Sequence, residues 1–258
     1  MENKSHNALG LEHARIFVKK ISVIIPAHNE ELYIGNALKA LTKQTFPRKD
    51  FEIIVVDNAS DDRTSQVAKA SGADTILFEP RKGTNQARQT GFENSVGEIV
   101  AFLDADCIPE QWWLERLYKK LHKNKNHCVA VAGSYMFSWK EGETFFICQL
   151  LYQWIVLPAV SSVIGHIFRR GGVLYGGNFA TFHEHFEKVE GIDTSFAFFG
   201  DDASIAKRLG QIAPVEFDPS LYVASSARRF NRDGVWKTNW EYTKNYFKVM
   251  FPFNDNPR

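Results

Sequence analysis

Apolar and polar residues follow each other along this chain with two different periods. Ile21–Ile25, Phe51–Val56, Asp74–Phe78 and Ile99–Leu103 are short apolar runs that read as strands, Ile21–Ile25 buried on both faces and Ile99–Leu103 also buried. Between them, Ile34, Ala37, Leu38 and Leu41, then Thr64–Ala70, then Gln86–Asn94, have helical spacing. The order β-α-β-α-β-α-β predicts right-handed crossovers and a mostly parallel sheet whose connecting loops share one edge. Further on, Pro109-Glu110-Gln111 opens a helix running to Leu121, and Cys128–Ala132 and Leu221–Ala224 read as strands. Trp236, Trp240, Tyr242, Tyr246 and Phe247 with Lys237, Lys244 and Lys248 form a last helix, packed on the core in one reading and touching membrane or acceptor in the other. The fold class expected is α/β: one Rossmann-like domain over 21–258, with a mixed, mainly parallel sheet flanked by helices. Residues 1–20 are expected to be a tail or short helix, since they lack the apolar run of a secretory signal.

One stretch departs from both periods. Between Phe145 and Phe168 lie 24 residues without a formal charge, long enough to raise the question of a membrane span. Pro158 in its middle and the interspersed Gln149, Gln153, Ser161, Ser162 and His166 argue against one. A single crossing would also separate the two halves of the chain. A buried or interfacial helix, docking on a bilayer, stands against an ordinary core and loop segment.

Composition narrows the class of partner. With 31 basic and 30 acidic residues in 258, the net charge of +1 gives no overall reason to bind nucleic acid, so affinity for phosphate must be local. The basic run Lys119–Lys125 reads as a solvated surface. Cys107, Cys128 and Cys148 have no metal-ligand spacing and cannot all pair, which suits packed thiols in a reducing, cytoplasmic compartment.

The candidate chemistry sits at strand ends. Asp104 and Asp106 follow the run Ile99–Leu103 and emerge where open α/β sheets bind ligands. Two carboxylates so close repel unless a cation sits between them, and a divalent metal with hard oxygen ligands is the economical choice; a polar turn is the plainer one. Asp57 ends the second strand, and with Lys82, Arg88, Asp104 and Asp106 it would surround one crevice suited to a nucleoside diphosphate and its metal. Lys82 and Arg88 could equally be solvated cations, and Asn29 could be a helix N-cap. The glycines of Gly171-Gly172-Val173-Leu174-Tyr175-Gly176-Gly177-Asn178 permit close approach of a ligand, or mark a turn and bulge.

Taken in order, Pro26-Ala27-His28-Asn29-Glu30, Val56-Asp57-Asn58-Ala59-Ser60-Asp61-Asp62, Gly83 to Gly91 and Gly97 to Asp106 resemble the nucleotide-sugar half of the family 2 inverting glycosyltransferases, of GT-A type. The resemblance continues through Gly176, Gly177 and Asn178 to Phe199-Gly200-Asp201-Asp202 and the following Arg208-Leu209. It implies a nucleotide-sugar-binding half over 21–110 and an acceptor-binding half over 111–258. Ala27, Asn29, Glu30 and Asp57 would hold the nucleoside, with Asp57 taking the base N–H, and Lys82 and Arg88 would contact base or phosphate. Asp104 and Asp106 would carry Mg or Mn at the diphosphate. Gly176, Gly177 and Asn178 would lie beside donor sugar and acceptor. Asp202 would be the general base, with Asp201 where such enzymes more often have Glu; the plainer role of that pair is a helix N-cap. The chain has no His in Ser225–Phe230, where relatives often do, and offers Arg228 and Arg229 for phosphate instead.

The expected activity is metal-dependent inverting transfer of a sugar from a nucleotide diphosphate, UDP before GDP, to a hydroxyl or phosphate, with a lipid or cell-envelope glycan among the acceptors. Peripheral contact with the inner face of a membrane through 145–168 would accompany it. A sugar-phosphate nucleotidyltransferase would need a Gly-rich basic loop where this chain has Pro-Ala-His-Asn-Glu. A non-catalytic nucleotide-sugar-binding module would not need both carboxylate pairs.

Overall fold

The computed structural model describes residues 17–124, 127–137, 151–167, 171–196, 200–226, 228 and 235–250. Arg229 and Cys148, with residues 145–150 and 168 of the uncharged stretch, lie outside them. Eight strands make one sheet: β1 (Lys19–Ala27), β2 (Phe51–Asp57), β3 (Thr75–Phe78), β4 (Gly97–Leu103), β5 (Ile108–Pro109), β6 (Ala130–Met136), β7 (Asn178–Phe182) and β8 (Val215–Ala224), in the order β3-β2-β1-β4-β7-β6-β8-β5. The first half is parallel throughout, β1 pairing with β2 and β4, and β2 with β3. The helices α1 (Ile34–Thr42), α2 (Thr64–Ala70) and α3 (Thr84–Glu93) make the crossovers that parallel neighbours require.

Both faces of β1, β2 and β4 are covered, which is why these strands read as unbroken apolar runs, whereas β3 at the sheet edge leaves Thr75 and Phe78 exposed. Ile21, Val23, Ile25, Ala101 and Leu103 face one layer with Trp113, Leu114 and Leu117 of α4 (Trp113–Lys123). Ile24, Val100 and Phe102 face the other, with Phe179 of β7, Phe186 of α6 (His183–Lys188) and Ile205 of α7 (Asp201–Leu209). Phe102 and Phe179 stack with centroids 4.7 Å apart.

The second half corrects several expectations. The glycine-rich segment leads into strand β7, which lies antiparallel to β4 with Asn178 opposite Leu103. Helix α4 starts at Trp113 because Ile108 and Pro109 form the short strand β5 on β8. Asn29 does not cap α1, which begins at Ile34; it sits at φ 56° and its Oδ1 accepts the Asp61 N–H at 2.8 Å, bracing the next loop. Lys120 of the basic run is ion-paired to Glu216 at 2.8 Å and Asp218 at 2.5 Å. Cys107 and Cys128 are buried free thiols.

Within the uncharged stretch, 151–167 is helical, with α5 (Leu157–Ser162) between two turns of wider π pitch. Over 151–156 its polarity is inverted, although Leu157 and Ile164 further on are buried. Gln153 and Ser161 are buried, whereas Leu151, Tyr152, Trp154, Ile155 and Val156 are exposed. No helix among the described residues is long and apolar enough to cross a membrane. The last helix, α8 (Val235–Met250), exposes Trp240, while its Tyr246 hydroxyl donates to the Gly172 carbonyl at 3.0 Å.

Candidate active site

The loops after β1 and β2 are stitched together first. Glu30 N–H donates to Thr64 Oγ1 at 2.8 Å, Glu31 N–H to Asp62 Oδ2 at 3.1 Å, and Asn29 N–H to Ser60 Oγ at 3.0 Å. Asp57, paired in register with Ala27, is buried; its Oδ1 accepts the Ser60 N–H at 3.0 Å and its Oδ2 the Ser65 hydroxyl. Asn58 ties this corner to the next loop. It donates to the carbonyls of Glu79 and Arg81 at 3.0 and 2.7 Å and accepts the Gly83 N–H at 2.7 Å. That clamp sets the position of Lys82, which is exposed and makes no ion pair among the described residues. Nothing in the local pattern singles out Asn58, because its partners are about 21 to 25 residues away.

Arg88 is the hub of a second cluster of charged side chains. It is buried rather than on a solvated helix face, and its guanidinium bridges Asp104 Oδ1 at 2.9 Å and Asp201 Oδ2 at 3.1 Å. Burial alone would weaken its proton affinity, but Asp104, Asp201 and Asp202 outweigh it and hold the cation firmly charged. Tyr135 of β6 donates to the other oxygen of Asp104 at 3.3 Å, and burial followed by the Asp104 charge pushes its phenol up. Tyr135 lies beyond the strand predicted at Cys128–Ala132 and is half-buried, and the sequence carries no sign of this contact.

The glycine pair is explained by these carboxylates. A Cβ on Gly177 would run into the Asp104 carboxylate, and one on Gly176 would meet Asp202 and lie 2.7 Å from Arg88 Nη1. The Gly177 carbonyl also accepts the Asp104 N–H at 3.2 Å. Asn178 has a different role from the one expected beside the donor sugar. It is completely buried, accepts the Trp113 indole N–H at 3.0 Å, and donates to the carbonyls of Ser134 and Leu221, each at 2.9 Å. Its amide holds β7, β6 and β8 in place and has no atom left over for a ligand.

Asp201 and Asp202 open α7 after Gly200, whose φ of 96° lies in the left-handed region. Neither makes a side-chain cap; they stand in the first turn, where the helix dipole favours negative charge. Burial and then the Asp201 charge push the Asp202 carboxyl up to about 8, against the opposing pull of Arg88 and the Gly176 N–H. Burial also raises Asp201, with Arg88 opposing. A carboxyl poised near neutrality, next to one held by an arginine, is an arrangement suited to accepting a proton.

The outer rim is Glu30, Asp106 and Arg228. Arg228 Nη2 donates to both Glu30 oxygens at 3.0 and 3.1 Å and to Asp106 Oδ2 at 2.9 Å, and the guanidinium lies 3.9 Å from the centre of the Tyr33 ring. Among the described residues no group of three or more His, Cys, Asp or Glu side chains is arranged to hold a metal ion. Asp104 and Asp106 nonetheless fit Mg or Mn of the kind that takes one or two carboxylates and completes its shell with substrate phosphates.

Comparison with known proteins bears on the family and the fold. The model for "Glycosyl transferase family 2" matches residues 22–187. Glycosyltransferase AglE of Haloferax volcanii is 44% identical over 101 residues, 37% of this chain and 33% of AglE. Glycosyltransferase GlyA of Streptococcus pneumoniae is 37% identical over 131 residues, 49% of this chain and 18% of GlyA. The matched region thus spans a third or less of these two curated relatives. Among solved structures, the mannosyltransferase PcManGT of Pyrobaculum calidifontis, in complex with GDP-Man and Mn2+, superposes with a TM-score of 0.65 at 21% identity, over 90% of this chain and 70% of that one. Glucosyl-3-phosphoglycerate synthase of Mycobacterium tuberculosis, with Mn2+, UDP-Glc and phosphoglyceric acid, gives 0.61 at 21% identity, over 92% and 81%. The sheet is that of the GT-A glycosyltransferases, and with its family model matched across most of its length, the chain belongs to glycosyltransferase family 2.

Proposed function

We propose that this chain transfers a sugar from a UDP- or GDP-sugar to an acceptor hydroxyl or phosphate with inversion at the anomeric carbon. The observation that carries this reading is Arg88, which joins Asp104 on the donor side to the Asp201–Asp202 pair across the glycine pair. The nucleoside lies over Ala27, Asn29, Glu30 and Asp57, and the diphosphate lies toward Asp104 and Asp106, within reach of Lys82 and Arg228. Asp202 takes the proton of the acceptor hydroxyl as its oxygen attacks the anomeric carbon, and the bond to the diphosphate breaks on the opposite face. Arg88 favours the charged form of Asp201 against its burial, and charge on Asp201 raises the basicity of Asp202. Mg or Mn at Asp104 and Asp106 would neutralise charge on the departing diphosphate. The Gly176–Gly177 backbone lets donor sugar and acceptor come close to both carboxylates.

The exposed apolar residues Leu151, Tyr152, Trp154, Ile155 and Val156 belong to the acceptor half, on a helix that precedes the glycine pair in the chain. This supports an amphiphilic acceptor, a lipid-linked or cell-envelope glycan, met at a membrane surface.

The test is thermal unfolding with UDP and GDP, with and without Mn2+. A ligand at a hundred times its Kd stabilises the native state by about 2.7 kcal/mol. One nucleotide is expected to raise the Tm, more so with Mn2+, and Asp106→Asn is expected to remove the Mn2+ increment. No shift with either nucleotide would overturn the donor-site assignment.

A further inference from the structure

Glu30 and Asp106 come from loops after different strands, yet both reach a single guanidinium nitrogen of Arg228. Glu30 and Asp106 are both half-buried; two such carboxylates facing each other repel, and here the intervening positive charge is supplied by the chain itself. The guanidinium is also stacked on Tyr33 at 3.9 Å, so it is held from one face by a ring and from its edge by three oxygens. Its side chain nevertheless remains 40% exposed.

A guanidinium fork matches carboxylate and phosphate oxygens equally well, and both are charge-assisted partners. We propose that Arg228 is the built-in counter-ion of the nucleotide-free donor site: it occupies the carboxylate pair Glu30–Asp106 and exchanges to the diphosphate oxygens when the donor binds, releasing Asp106 to a divalent cation. This rests on the donor-site reading above and deepens it. Because Arg228 competes for Asp106, a metal ion meets a site already neutralised until a diphosphate draws the guanidinium away. Metal and nucleotide therefore bind as a pair, each strengthening the other to the same extent. Tyr33 keeps the guanidinium at the rim during the exchange, and Glu30, once released, is free to accept a hydroxyl or N–H of the nucleoside.

The test measures free Mn2+ by electron paramagnetic resonance while Mn2+ is titrated into the nucleotide-free full chain. Arg228→Gln is expected to tighten Mn2+ binding about tenfold, since a cation is removed from beside a site for a dication. The same variant is expected to weaken UDP or GDP binding, so the two affinities move in opposite directions. Tyr33→Leu keeps every charge and is expected to tighten Mn2+ by a smaller factor, about two- to threefold. Circular dichroism melts establish that both variants are folded. Unchanged or weaker Mn2+ binding by folded Arg228→Gln would overturn the proposal. Absence of nucleoside diphosphate binding by the unmodified protein would count against the donor-site reading, and the Mn2+ comparison, made without nucleotide, is read independently of it.

Discussion

Replacing Asp202 by Asn should make the protein inactive and more stable at the same time. In the fold the Asp202 carboxyl is pushed up to about 8 from an ordinary value of 3.8, by burial first and the Asp201 charge second. A carboxyl with a raised folded value holds its proton more tightly in the native state. Its contribution to stability is therefore fully present below about pH 4 and is lost as pH rises toward 8. Over that window folding must take up one proton, at about 1.4 kcal/mol for each pH unit, which sets an upper bound of about 4 kcal/mol at pH 7. Asp201 shares the same proton balance, so a gain of about 2 kcal/mol for Asp202→Asn is the working figure. For a chain of this length that is a Tm rise of about 4–8 °C. Asn keeps an oxygen for the Gly176 N–H and cannot ionise. Thermal melts of parent and variant at pH 4.5, 7 and 8.5 check this, with a difference that is small at the acid end and grows with pH. In parallel, transfer should be lost in the variant, and kcat/KM of the parent should rise with pH up to about 8. A variant less stable than the parent at pH 7, or a difference independent of pH, would refute the argument that Asp202 is buried against its own charge.

Two further outcomes are expected. Arg88→Ala leaves Asp104 and Asp201 without their shared cation and should cost about 3 kcal/mol by denaturant unfolding, with transfer lost; Arg88→Lys, which cannot bridge both carboxylates with a fork, should recover part of the stability and little of the activity. Trp154→Glu together with Ile155→Glu places charge on the exposed apolar face and should reduce co-sedimentation with liposomes while leaving the Tm within about 2 °C, since neither side chain belongs to the core.

Much of the first half was legible because its signals are local. Apolar runs of strand length separated by helical periodicity leave few arrangements other than a parallel sheet, and Asp57 ends β2 while Asp104 directly follows β4, so the edge they share comes with the topology. Helix α2 was readable to the residue, as Thr64–Ala70. The second half was less legible because its decisive contacts are long-range. A segment read for its glycines is also the approach to β7, and its antiparallel pairing with β4 depends on Phe179 and Ala180 finding partners about eighty residues upstream. The helix at 151–167 has the composition of a core element, and only its packing shows which side is covered.

The candidate site divides in the same way. The sequence by itself determined the chemistry on offer, namely the carboxylate pairs Asp104–Asp106 and Asp201–Asp202, the glycine pair and the basic residues downstream, because residue type and short spacing are written along the chain. Tertiary structure alone decided the assignments: Arg88 between Asp104 and Asp201, Tyr135 on Asp104, Asn178 inside the scaffold and Arg228 on Glu30 and Asp106. The physical reason is that charge and burial act through space. A carboxylate becomes a base near neutrality, or a place for a cation, according to which side chains the fold brings against it, and those come from positions up to 198 residues apart.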